Sequence, residues 1–65
     1  MMDRQTLQTE IKRLSSQAVQ AKMNLHDLAE DLPANWEESM VVAQRAYDIY
    51  RELESKRALL RAVGA

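Results

Sequence analysis

Leu7, Ile11, Leu14, Ala18, Ala21, Leu25, Leu28 and Leu32 form an unbroken ladder whose steps alternate four, three, four, three. That is the heptad spacing, which gathers every rung on one stripe of an α-helix and requires a second helix to cover it. No segment shows the alternation by two that a half-buried strand would need, and no repeat or low-complexity tract competes. The ladder fixes how the chain is built; it carries no chemistry.

The helix must stop at Pro33, which cannot continue it and pushes Leu32 toward extended geometry. Asn35 followed by Glu38 reads as a capping box that starts a second helix at Trp36. Gly64 marks its end. The expectation is an all-α, antiparallel two-helix hairpin, with helices over about 3–31 and 36–63 and a tight turn over 32–35, forming one domain over 1–65. The second helix carries its own ladder: Ser39, Val42, Ala46, Ile49, Leu53, Lys56, Leu60 and Val63. Closing the hairpin pairs residues whose numbers total 67, so Leu28 meets Ser39, Ala21 meets Ala46, Ala18 meets Ile49 and Leu14 meets Leu53. Ala21 against Ala46 leaves a thin layer in mid-hairpin. Lys56 interrupts the ladder opposite Ile11, its stem expected to pack while the ammonium reaches water.

Trp36, Met40, Ala43, Tyr47 and Tyr50 form a second stripe, displaced to one side of the first. A single hairpin covers only one of the two. At 65 residues with no cysteine, the missing stabilisation must come from association or very regular helix packing. A homodimer of hairpins, forming a four-helix bundle, answers both needs. Its expected interface is Met40, Ala43, Tyr47 and Tyr50, joined by Leu25 and Leu28 of the first helix. The formal charges sort by position: +2 over residues 1–22, −5 over 23–40 and +2 over 41–65. An antiparallel dimer sets each acidic turn beside the partner's basic open end, whereas a parallel one stacks like charges.

The overall charge of −1 gives no general attraction to nucleic acid or anionic lipid. No apolar run reaches the length of a membrane span, and the start of the chain lacks a signal-peptide core, so a cytoplasmic location is expected. Ser15, Ser16 and Ser39 have no histidine placed to activate them, and no cofactor motif occurs. No catalytic role is expected. His26, the sole histidine, shares a helix face with Glu30, a spacing that can hold a divalent metal but supplies only two ligands. Asp27, Glu30 and Asp31 place negative charge where a helix dipole is already negative. They break a local rule, which sequences sometimes do for function. Trp36 beside the turn reads as a staple over Leu32, or else as an exposed docking anchor. The partner-binding candidates are therefore His26, Asp27, Glu30, Asp31 and Trp36.

The segment Leu25-His-Asp-Leu-Ala-Glu-Asp-Leu-Pro33, with Trp36-Glu-Glu and Ala46-Tyr-Asp-Ile-Tyr50 after it, resembles the Rop-like small proteins encoded in bacterial nitrogen-fixation operons. The resemblance extends over nearly the whole chain and rests mainly on that first segment. It implies a helical hairpin with a four-residue linker that pairs into a rod-like bundle, and it brings no catalytic residues. It also implies a context, nitrogen fixation, and the unexplained acidic, histidine-bearing tip makes another protein of the nitrogenase system the expected partner. The surface it points to is Leu25, His26, Asp27, Leu28, Glu30, Leu32 and Pro33, of which the three leucines are already explained as rungs. RNA binding by analogy with Rop needs a basic face, and Lys12, Arg13 and Lys22 offer only a sparse one.

Overall fold

A computed structural model describes residues 3–64. Helix α1 spans Arg4–Asp31 and helix α2 spans Ser39–Gly64, with a single 3-10 turn, Trp36–Glu38, leading into α2. The two helices fold back on each other as a rod of 46 × 15 × 15 Å. No strand occurs among the described residues.

Asp3 starts α1. Its backbone is extended and its carboxylate accepts the Thr6 N–H at 2.7 Å, satisfying one of the donors that every helix leaves unpaired at its start. Leu32 ends the helix with φ −56° and ψ 141°, the extended geometry that a following proline favours, and its N–H reaches back to the Ala29 carbonyl. The Leu32–Pro33 peptide is cis. Backbone bonds from Ala34 to Asp31 (2.9 Å) and from Trp36 to Pro33 (3.3 Å) close the turn.

Asn35 does not form the expected capping box. It adopts the left-handed conformation at φ 60°, ψ 26°, and its side chain makes no capping bond. Asparagine tolerates this region better than most residues, and the turn needs it to reverse the chain. The Glu38 N–H instead donates to the Asn35 carbonyl at 3.0 Å, so the second helix begins as a 3-10 turn and becomes α-helical only at Ser39. Capping chemistry was legible in composition, but the backbone used the asparagine for its conformation.

The seam follows the ladder. Leu7, Leu14, Ala18 and Ala21 of α1 are buried, as are Ala46 and Leu53 of α2. Leu14, Ala18 and Leu53 form one cluster with Ile11 and Ile49 packed against it. Val42, Lys56 and Leu60 are half-buried, so the lysine occupies its rung largely through its stem. Burial fades toward the turn: Leu28 is half-buried and Leu25 remains 37% exposed. Fully burying a leucine contributes roughly 1.5–3 kcal/mol, and only Leu7 and Leu14 reach that state. One hairpin thus makes a core thinner than a chain of this size ordinarily needs.

Candidate functional site

The last two turns of α1 carry the residues that the ladder leaves over. His26 lies on the outer face, its Nε2 3.4 Å from Glu30 Oε1 and its Nδ1 3.7 Å from Asp27 Oδ1. Helical spacing brings His26 and Glu30 together, because residues four apart lie one above the other. All three side chains are exposed. The last turn of α1 contains no basic residue, so Asp27, Glu30 and Asp31 add negative charge beside the carbonyl end of the helix. Glu37 and Glu38 in the following turn add to the same negative end.

Among the described residues no group of three or more histidine, cysteine or acidic side chains is placed to hold a metal ion. His26 and Glu30 therefore offer two ligands and no third. Among the described residues no polar or charged side chain is buried. A shallow groove of about 320 Å³ runs beside this end of the rod, lined by Val19, Lys22, Met23, His26 and Asp27. Val19 and Met23 had gone unremarked in the sequence. Their signal is position: they lie seven and three residues before His26, off the ladder, where an outer helix face is ordinarily polar.

Trp36 is not a buried staple. It is 65% exposed, and Leu32, which it was expected to cover, is also exposed. The 3-10 start of the second helix is the reason, since it holds position 36 outside the regular seam. The rest of its stripe is equally open, with Met40 79%, Tyr47 61% and Tyr50 43% exposed and Ala43 half-buried between them. The structure thus brings His26, Asp27 and Glu30 together on the outer face of α1.

Electrostatics elsewhere are local. Arg13 donates to Glu10 at 2.6 Å, and this bond with its charge holds the Glu10 carboxyl below the usual range and the Arg13 guanidinium above its own. The Thr6 amide does the same for Asp3. Arg61 and Glu54 pair at 3.3 Å near the open end. No helix among the described residues is long and apolar enough to cross a membrane.

Two antiparallel helices joined by a four-residue linker define a small helical-hairpin protein. Sequence comparison is more specific: residues 2–65 match the Rop-like family, and the chain belongs to it. A UPF0437 protein of Azorhizobium caulinodans is 51% identical over 65 residues, covering all of this chain and 94% of that one. A UPF0437 protein of Nostoc is 51% identical over 55 residues, covering 85% of this chain and 78% of its own. A third, from Frankia alni, is 46% identical over 52 residues, covering 80% of this chain and 63% of its own, and is described as a UPF0437 protein in the nifX-nifW intergenic region. No solved structure gives a significant match.

Proposed function

We propose that this chain is a non-catalytic accessory protein of nitrogen fixation, acting in nitrogenase maturation or regulation as a homodimeric interaction module. The observation that carries the reading is the open stripe of Met40, Ala43, Tyr47 and Tyr50 along α2, contiguous apolar surface that one hairpin cannot cover. A second hairpin laid antiparallel covers it, completes a four-helix bundle with Leu25 and Leu28 at its margins, and sets acidic turn against basic open end. Dimerisation leaves the outer face of the tip free. His26, Asp27, Glu30 and Asp31 there form a docking surface for another protein of the system, beside Trp36. The location of the Frankia relative between two nif genes supports the context.

The test is capture from nitrogen-fixing cells with the parent chain and with the triple variant His26→Ala/Asp27→Ala/Glu30→Ala. The expected result is a nitrogen-fixation protein retained by the parent and lost by the variant. Identical captured sets would remove the tip as the docking surface.

A further inference from the structure

Off the ladder, helix α1 is polar along its length except at Val19, Met23 and Ala29. Val19 and Met23 stand four residues apart, one above the other on the helix surface, and each is more than half exposed. They line the groove that reaches His26 and Asp27. We propose that this groove seats a cationic amphipathic helix of a partner protein, whose apolar side chains enter between Val19 and Met23 while its lysines or arginines reach Asp27, Glu30 and Asp31. The proposal rests on the docking reading above and names the chemistry of the partner.

No strand occurs among the described residues, so a peptide finds no sheet edge to extend. A shallow apolar groove along a helix is instead the seat that a second helix fits. Val19 and Met23 are roughly 6 Å apart at 1.5 Å per residue, the spacing of anchors one turn apart on an amphipathic helix. At about 320 Å³ the groove lies at the small end of binding sites, with room for anchor side chains. Methionine suits such a seat, because its unbranched, polarizable chain adapts to the shape it meets.

Charge selects the sign of the partner. From Met23 to Met40 the chain carries five carboxylates and no lysine or arginine. Three of them, Asp27, Glu30 and Asp31, continue from the groove toward the turn, where the carbonyl end of α1 adds to their field. Among the described residues the ion pairs of Asp27 and Glu30 are both with His26, so no lysine or arginine of the hairpin competes for them. An acidic partner is repelled here, and an uncharged one leaves the carboxylates unused. Lys22 lines the groove further toward mid-helix, so the attraction is graded along it. The occupant is therefore apolar where it crosses Val19 and Met23, and basic in the next turn toward the hairpin's end.

A pair of synthetic helical peptides tests the site. Both carry leucines one turn apart; one follows them with arginines, the other with glutamates. Each is titrated into the isotope-labelled full chain and followed by its amide shifts. The arginine peptide should move amides within residues 19–31, and the glutamate peptide should bind at least about tenfold more weakly. Met23→Glu should weaken the arginine peptide by about tenfold or more. Val41→Glu, at a site on α2 that is 72% exposed, should leave it unchanged. Asp27→Asn/Glu30→Gln should weaken it and flatten its salt dependence. Absence of shifts at about 1 mM arginine peptide overturns the proposal, as does equal binding of the two peptides or undiminished binding to Met23→Glu. A change of mass in Met23→Glu hands the groove to a second copy and overturns it too. The broader docking reading is judged separately, by the capture experiment above. Capture that depends on the tip without peptide binding keeps that reading and removes the cationic helix; peptide binding with unchanged capture does the reverse.

Discussion

Leu14 of α1 and Leu53 of α2 meet in the same cluster, with no more than 3% of either side chain exposed. Removing either leaves a cavity that two rigid helices cannot close. Leu14→Ala should cost about 2–5 kcal/mol in urea unfolding. That is most of what a core of this size supplies. Val41→Ala, at a site 72% exposed, should stay within about 0.5 kcal/mol. Equal effects at the two sites would refute the seam.

Ala21 and Ala46, which the sequence register pairs, are both buried and both small. Their size sets how closely the helices approach. Ala21→Leu should cost roughly 1–3 kcal/mol through overpacking, or change the oligomer. Denaturant melts combined with sedimentation detect either outcome. A variant as stable as the parent, with unchanged mass, would show that the thin layer has room to spare.

Asp3 and Glu10 both titrate below their ordinary values of 3.8 and 4.5, through the Thr6 amide and Arg13 respectively. A carboxyl whose pKa is depressed by folding stabilises the fold above its unfolded value and loses that contribution as pH falls through the folded one. The thermal midpoint should therefore be flat from pH 7 to about 5 and fall below about 4.5. Asp3→Asn keeps a capping oxygen without a titrating group, so its acid loss should be shallower than the parent's. An unchanged acid profile in Asp3→Asn would place the effect elsewhere.

The hairpin was legible because heptad spacing, a proline and a register of constant sum all act through local geometry that sequence encodes directly. The turn was legible in position but not in detail. Asn35 can cap a helix or adopt positive φ, and only the closed chain selects between them. Trp36 could be read as a staple or as an exposed anchor, and the 3-10 turn at that point leaves it exposed. His26, Asp27 and Glu30 stand out in the sequence only by subtraction, as polar residues the ladder does not explain. Val19 and Met23 share the face of His26 at helical spacing, but scattered apolar residues on an outer face are ordinary, and only the groove shows the two together.

The tip should be dispensable for folding. His26, Asp27 and Glu30 are exposed and make no contact with α2 among the ion pairs of the hairpin. His26→Ala/Asp27→Ala/Glu30→Ala should unfold within about 0.5 kcal/mol of the parent while losing its captured partner. A strongly destabilised variant would assign these residues to the fold instead.

The exposed stripe from Met40 to Tyr50 asks for a second copy, and mass answers most directly. Sedimentation equilibrium at micromolar concentration and low salt should return twice the chain mass of 7.5 kDa. High salt should weaken association modestly as charge complementarity is screened. Tyr47→Glu should return a single chain. A parent chain that sediments at 7.5 kDa under these conditions would contradict the dimer.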